Sequence, residues 1–146
     1  MAWSSPLPPP GLRLEQMGNV TMTAMTVLGE AEGESDCGKL AVAWVIANRA
    51  RDSRWPDQMW EVCLQPWQFS AWNSESPRIK VMRTPQSYVA EKIWDKCHLA
   101  ATLAFSSVED DLTKGANHYH ARSVQPSWAD DRRLTLDLGG HLFYKL

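Results

Sequence analysis

Residues 27–49 read VLGEAEGESDCGKLAVAWVIANR, and the expected fold follows from this stretch. Apolar residues at helical spacing predict a first helix from about residue 21 to Gly33, where glycine favours a stop. Asp36 suits the N-cap of a second helix, whose small apolar residues continue to Arg51. A polar link that contains three glutamates therefore lies between two predicted helices.

Outside this stretch the sequence predicts one more long helix and a few extended segments. Residues 52–84, rich in Pro, Trp and Phe, read as an irregular loop of a kind that is more often functional than idle. Thr84 and Pro85 predict the start of a third helix, with a buried stripe at positions 89, 93, 97, 100 and 104. Residues 114–120 and 141–144 are predicted to be extended. The expected fold class is α+β, mainly α, in one compact domain with a small C-terminal β-sheet.

Length and composition are those of an ordinary globular protein. A chain of 146 residues can bury a real core, and 44% hydrophobic with 22% charged residues are typical values. The net charge of -2 provides no basic surface for nucleic acid, and no run has the length of a membrane span. Eight tryptophans are unusual, and those outside the core could serve as platforms for sugar rings. We therefore expect a monomer that neither binds nucleic acid nor inserts into a membrane.

The N-terminus and the cysteines bear on the domain bounds, on secretion and on disulfide bonds. Residues 1–20 are predicted to be a flexible Pro-rich arm and residues 21–146 the folded domain. No apolar segment typical of a secretory signal is seen in the arm. Cys37, Cys63 and Cys97 form no CxxC pair, so we expect three reduced thiols, with a Cys63–Cys97 bridge as the alternative.

The glutamates between the first two helices are the leading candidates for chemistry. A charged run is most often a solvated face, but Glu30 lies on or beside the apolar stripe of its helix. Burial raises the pKa of a carboxyl group, and such an acid can protonate a leaving oxygen near neutral pH. Glu34, one turn on, would raise that pKa further by repulsion. Because no distant partner carboxyl stands out, the pattern favours a mechanism with a single acid/base.

Polar and aromatic residues in the irregular loop are candidates for binding a sugar. Gln68 and Ser70 can hydrogen-bond hydroxyl or N-acetyl groups, and Trp72 can stack on a ring. The alternative is a loop that satisfies its own polar groups, with Phe69 buried beneath it.

A second set of candidates lies in the extended segment after residue 114. In a strand, His118 and His120 point to one face and Tyr119 to the other, so only one face can meet a cleft. Tyr119 could steady a developing positive charge or an N-acetyl group, and the histidines could bind substrate or orient Glu30. We predict that Tyr119 and His120 bind substrate. The other predicted substrate-binding residues are Glu34, Gln68, Ser70 and Trp72.

Several segments, taken together, resemble a known family of enzymes. They read GEAEGE at 29–34, AVAWVIANR at 41–49, QPWQFS at 65–70, GANHYHA at 115–121 and GHLFY at 140–144. In this order they resemble the cell-wall hydrolase family typified by the catalytic domain of spore-cortex-lytic enzymes. The resemblance extends over about residues 21–146. One departure is Glu32, at a position that is often basic in the family.

The resemblance implies a fold related to lysozyme and to lytic transglycosylases, and cleavage of peptidoglycan between N-acetylmuramic acid and N-acetylglucosamine. The first glutamate of the GEAEGE segment, here Glu30, would be the catalytic acid/base, with no metal or organic cofactor. The cleft is expected between the end of the Glu30 helix and residues 68–72, with residues 117–120 as its floor. A short catalytic domain of this type also resembles a phage endolysin, made in the host cytoplasm and released to the wall by a holin.

The sequence is also compatible with two other functions. His118 and His120 could bind zinc together with Glu30 or Glu34, which would make a metal-dependent amidase or peptidase that acts on wall peptides. The tryptophans would also suit a non-catalytic glycan-binding module, in which the clustered glutamates would have no role.

Overall fold

The structure, a computed structural model, describes the backbone of residues 14–146 and the side chains from residue 18 onward. Helices and strands in this part follow one another in the order α1 (Leu14–Ala31), α2 (Asp36–Ala50), α3 (Met59–Leu64), α4 (Ile79–Arg83), α5 (Glu91–Ser106), β1 (His118–Ala121), β2 (Leu134–Leu138) and β3 (His141–Tyr144). None of the described helices combines the length and the apolar character that a membrane crossing requires. The predicted class, α+β and mainly helical with a C-terminal sheet, is confirmed.

Helix α1 is longer than the sequence predicts. It begins at Leu14 rather than near residue 21, so the last residues assigned to the arm are helical, and Val20 is buried in the core. Residues 14–17 read LEQM, and these are good helix formers that allow the helix to extend backwards. The helix ends at Ala31, two residues before the expected stop at Gly33. Residues 1–13 lie outside the described part, and the flexible arm stays a prediction.

Helix α2 packs in the core against both α1 and α5, which also pack against each other. Ser35, not Asp36, is its N-cap, since the Ser35 hydroxyl accepts a hydrogen bond of 3.1 Å from the Gly38 N–H. Its residues Ala41 to Ala47 are all buried, which explains why this helix has small apolar residues on every side. The buried Lys39 donates from Nζ to the carbonyl oxygens of Glu32, at 2.8 Å, and Glu34, at 2.5 Å. Lys39 thereby closes the turn between α1 and α2.

The segment predicted to be an irregular loop contains two short helices, α3 and α4, and a 3-10 turn at Ser70–Trp72. The predicted third helix starts later than Thr84, because Pro85 begins only a 3-10 turn and Ala90 has extended backbone. Helix α5 therefore begins at Glu91. The part of the predicted stripe at Cys97, Ala100 and Ala104 is buried, as expected.

The C-terminal third forms a three-stranded antiparallel sheet in the order β1-β3-β2. Tyr119 of β1 pairs with Phe143 of β3, and His120 pairs with Leu142. Strand β2 was not predicted from the sequence, and its register with β3 shifts between Leu134 and Leu136.

The three cysteines, all in the described part of the chain, are free thiols. Cys37 is exposed, whereas Cys63 and Cys97 are buried. Burial raises the pKa of Cys63 to about 11 and that of Cys97 to about 12. The structure confirms the expected reduced thiols, and the alternative Cys63–Cys97 bridge is absent.

Candidate active site

Glu30 occupies the last turn of α1, where its carboxyl group is half-buried beside the sheet. The Tyr119 hydroxyl donates a hydrogen bond of 3.2 Å to Glu30 Oε1. Burial raises the pKa of Glu30 above its ordinary value, and the Tyr119 bond opposes that rise. The backbone N–H groups of Ala71 and Ser70 also lower the pKa. Glu30 thus has the environment of a general acid.

Tyr119 reaches Glu30 because β1 directs this side chain towards α1. Its ring packs against Phe69, Phe143 and His141, with centroid distances of 6.5, 5.7 and 5.0 Å. Burial, followed by the nearby Glu30 carboxyl, raises the pKa of Tyr119 well above its usual value. The hydroxyl therefore stays protonated and acts as a donor. Of the two strand faces left open by the sequence, the Tyr119 face is the one that meets Glu30.

The 3-10 turn Ser70–Trp72 packs directly on α1, and Gly29 makes this approach possible. A Cβ atom at Gly29 would lie 2.8 Å from the Ala71 Cβ, which is too close for a real contact. Trp72 fixes the far end of the turn, since its Nε1 donates a 2.8 Å hydrogen bond to Thr26 Oγ1. Ser70 is exposed and Trp72 is half-buried. Of the predicted loop residues, Ser70 lies beside Glu30 and Trp72 contacts α1 one turn earlier, and their role in binding substrate stays a prediction.

Arg49 connects the loop to the sheet, a role that the sequence reading missed. Its side chain is buried, with Nε donating to the Asn117 carbonyl at 2.7 Å and Nη1 donating to Gln68 Oε1 at 3.3 Å. The guanidinium also lies over the Phe69 ring, 5.4 Å from its centroid. Gln68 itself is exposed. The sequence does contain one indication of this role, because Arg49 is a cation at the end of an otherwise apolar, buried helix.

Glu34 is not on a helical turn with Glu30, because the chain leaves the helix after Ala31. Its Oε1 accepts a 2.8 Å hydrogen bond from the Gly140 N–H, at the turn between β2 and β3. The His141 Nδ1 lies 3.5 Å from the same oxygen, beyond a good hydrogen bond. Glu34 is not among the groups that shift the pKa of Glu30, so the expected repulsion is wrong. Its predicted part in binding substrate stays a prediction.

Glu32, at which the sequence departs from the family pattern, does not contribute to the environment of Glu30. Its Oε1 lies 2.5 Å from Arg78 Nη2, with which it forms an ion pair. Both side chains of this pair are partly exposed. The pair lies outside the set of groups that shift the pKa of Glu30.

His120 lies on the face of β1 opposite to Tyr119, where it is buried against Tyr144 and Trp128. Its Nδ1 lies 2.8 Å from the Ala121 carbonyl oxygen, and its Nε2 lies 2.9 Å from the Tyr144 hydroxyl. Both ring nitrogens are thus engaged. The structure does not bring His120 to Glu30, and its predicted role in binding substrate has no support from this geometry.

A zinc site at His118 and His120 has too few ligands. In residues 14–146, no three His, Cys, Asp or Glu side chains come together in a way that could hold a metal ion. The His118 Nδ1 lies 2.8 Å from Asn117 Oδ1, and burial with the nearby Arg49 and Arg54 lowers the pKa of His118 to about 4. The zinc alternative therefore lacks the ligand set that it needs.

A mainly helical domain whose half-buried glutamic acid faces a small antiparallel sheet defines a protein of the lysozyme-like class. The chain belongs to the cell wall hydrolase family, whose model matches residues 33–144. It is a peptidoglycan-cleaving enzyme. The matched residues begin at Gly33, so Glu30 lies outside the part of the chain that the family model covers.

Two solved structures are similar to the whole described domain. One is the catalytic domain of the Bacillus cereus SleB protein, with 25% identity, a TM-score of 0.67 and coverage of 94% of each chain. The other is the catalytic domain of the germination-specific lytic transglycosylase SleB from Bacillus anthracis, with 26% identity and a TM-score of 0.65. This second match covers 94% of the present chain and 100% of the other. No curated protein is significantly similar to the chain.

Proposed function

We propose that this enzyme cleaves the glycan strand of peptidoglycan between N-acetylmuramic acid and N-acetylglucosamine, with Glu30 as the general acid/base. The observation that supports this proposal is the half-buried Glu30 carboxyl, whose pKa is raised by burial and which is held by the Tyr119 hydroxyl. A carboxyl group with a raised pKa keeps its proton to higher pH than an ordinary one, and it can give that proton to a glycosidic oxygen.

In the proposed reaction, Glu30 protonates the glycosidic oxygen as the bond to the anomeric carbon of N-acetylmuramic acid breaks. The resulting carboxylate then takes the proton of the hydroxyl that attacks the same carbon. If the attacking group is the C6 hydroxyl of that sugar, the product is a 1,6-anhydro ring. The sequence offers no distant carboxyl that stands out as a partner for Glu30, which favours this single-acid route over one with paired carboxyls. The lytic transglycosylase activity named for the Bacillus anthracis relative points the same way.

The test of this function is mass spectrometry of purified peptidoglycan after digestion. We expect fragments that end in 1,6-anhydro-N-acetylmuramic acid. Ordinary reducing ends would show that water is the attacking group and that the enzyme is a muramidase. Free peptides with intact glycan strands would contradict glycan cleavage and favour an amidase. Unchanged peptidoglycan together with tight binding to it would favour a glycan-binding module.

Tyr119→Phe is expected to move the alkaline limb of the kcat/KM profile to higher pH, by about one unit. The Tyr119 hydroxyl stabilises the charged form of Glu30 and so lowers its pKa. Without it the pKa rises, the carboxyl stays protonated to higher pH, and the acid remains competent there. The measurement is the pH dependence of kcat/KM for solubilised glycan strands.

The matched control is Tyr88→Phe, because Tyr88 is exposed and lies beside Lys80 rather than Glu30. We expect its profile to coincide with that of the wild type. An alkaline limb that stays in place in Tyr119→Phe would show that Tyr119 has no electrostatic influence on the acid.

We also propose that the enzyme acts in phage-induced lysis of the host, reaching the wall from the cytoplasm by holin-type release. The support is its membership of a family of wall-cleaving enzymes together with the phage-endolysin resemblance of its sequence. Culture turbidity tests this role. Expression in a bacterial host should cause lysis only when a holin is also expressed, and lysis without the holin would contradict the proposal.

A further inference from the structure

His141, the first residue of β3, packs against the ring of Tyr119. Tyr119 pairs with Phe143 across β1 and β3, and His141 lies two residues before Phe143, so its side chain is on the same face of the sheet as Tyr119. The two rings meet nearly at right angles, at 75°, with a centroid distance of 5.0 Å. This distance is shorter than those from Tyr119 to the two phenylalanine rings beside it. Removing the buried imidazole would therefore give the Tyr119 ring room to turn.

Glu34 fixes the start of β3 to the turn between α1 and α2. Its Oε1 accepts the 2.8 Å hydrogen bond from the Gly140 N–H. Gly139 makes this approach possible, because a Cβ atom there would lie 2.6 Å from the same oxygen, and its φ of 57° suits glycine. Glu34 follows Glu30 by four residues, so the contact ties the chain just after the proposed acid to the strand that contains His141.

The imidazole of His141 lies between Glu34 and Tyr119. Its Nδ1 is buried, has no hydrogen-bond partner in residues 18–146 and faces Glu34 Oε1 at 3.5 Å. Burial lowers the pKa of His141, Glu34 opposes the fall and His120 adds to it, so the ring is uncharged at neutral pH. An uncharged imidazole has one N–H, and a carboxylate oxygen opposite Nδ1 favours the tautomer with the proton there. The carboxylate thus helps to set the orientation of the ring that Tyr119 contacts.

We propose that Glu34 and His141 are positioning residues: Glu34 holds the His141 ring, and that ring keeps the Tyr119 hydroxyl aimed at Glu30. Both ends of the 3.2 Å Tyr119–Glu30 hydrogen bond then depend on one contact, because Glu34 is joined to Glu30 through the chain and to Tyr119 through the sheet. This inference rests on the proposed function for the role of Glu30, but it concerns the geometry of Tyr119 and not the cleavage step. It gives Glu34 a role inside the protein, distinct from the predicted contact with substrate.

The test measures the pKa of Glu30 directly, by NMR titration of its carboxyl carbon in protein that contains isotope-labelled glutamate. The spectrum of Glu30→Gln assigns the signal. We expect His141→Ala to raise the pKa of Glu30 by about 0.5–1 unit, in the same direction as Tyr119→Phe, because the hydroxyl that stabilises the carboxylate is no longer held in place. In the double variant, His141→Ala with Tyr119→Phe, the pKa should equal that of Tyr119→Phe alone.

Two variants of Glu34 test the other half of the pair, at a side chain that is 20% accessible and can be replaced without opening the core. Glu34→Ala loses the contacts of the carboxylate and should raise the pKa of Glu30. The amide oxygen of Glu34→Gln can accept the same N–H groups and should leave that pKa near its wild-type value. Asp137→Ala is the matched control, because Asp137 pairs with Arg122 at the surface of the same hairpin, and we expect no shift from it.

A Glu30 pKa that stays in place in His141→Ala would overturn the positioning pair. So would a shift in the double variant equal to the sum of the two single shifts, because His141 would then act on Glu30 without Tyr119. An equal shift in Asp137→Ala and Glu34→Ala would trace the effect to the hairpin as a whole and contradict the role of Glu34. If Glu30→Gln still cleaves peptidoglycan while His141→Ala raises the pKa of Glu30, the proposed mechanism fails and the positioning pair stands.

Discussion

Glu30→Gln is expected to lower the rate of peptidoglycan cleavage by about 10²–10⁴-fold, the usual contribution of a general acid/base. Glutamine has nearly the same shape as glutamic acid, and its amide oxygen can still accept the Tyr119 hydrogen bond. It cannot give a proton to the leaving oxygen. The loss should therefore appear in kcat, with KM changed little. The measurement is the release of soluble fragments from purified peptidoglycan under initial-rate conditions.

The control for this variant is Glu32→Gln, which removes a carboxylate two residues away on the other side of the chain. Glu32 pairs with the partly exposed Arg78, and surface ion pairs of this kind contribute little. We expect wild-type activity within about threefold, since surface substitutions have small effects. If Glu30→Gln kept more than a tenth of wild-type activity while Glu32→Gln lost it, the acid would have to be sought elsewhere.

Lys39→Met is expected to lower the free energy of unfolding by about 2–4 kcal/mol, because it removes a buried ammonium group that donates to two part-buried carbonyl oxygens. The two oxygens belong to Glu32 and Glu34, and both are bound by Lys39 Nζ in the folded protein. Methionine keeps the apolar stem and removes the ammonium. For a domain of this size the change corresponds to a fall in Tm of roughly 5–15 °C. Urea unfolding followed by circular dichroism measures it.

Lys96→Met is the appropriate control, since it removes an exposed ammonium from a neighbouring helix. Lys96 pairs with the exposed Asp36 at 3.2 Å, and its side chain is 41% accessible. The expected loss is about 0–1 kcal/mol. Equal destabilisation by the two variants would mean that the buried Lys39 contributes no more than a surface charge.

Much of the helical part can be predicted because local signals decide it. Glycine after an apolar run predicts the end of α1 to within two residues, and the small apolar residues of α2 indicate a helix packed on all sides. Glu30 stands out for the same reason: it lies at the boundary between a buried stripe and a polar turn. The strand at 141–144 can also be predicted from the sequence, since four mostly apolar residues follow a Gly-Gly turn.

The remaining features depend on contacts between distant parts of the chain. The period of β1 shows that Tyr119 and its flanking histidines face opposite ways, but only the packing of the sheet on α1 selects Tyr119. The Glu34 contact with Gly140 spans 106 positions and leaves no local signal. Likewise, Lys39 reads as a surface residue until the carbonyl oxygens that surround it are known.

The order of the sheet also bears on when a newly made chain becomes active. Strand β1, which holds Tyr119 against Glu30, pairs with β3 and not with its sequence neighbour β2. During synthesis Glu30 leaves the ribosome early, yet β1 lacks its hydrogen-bonding partner until residues 141–144 have been added. Glu30 is thus present for most of the synthesis without the hydrogen bond from Tyr119 that lowers its pKa. The pairing of β1 with β3 means that the site around Glu30 is completed only when residues 141–144 have been added.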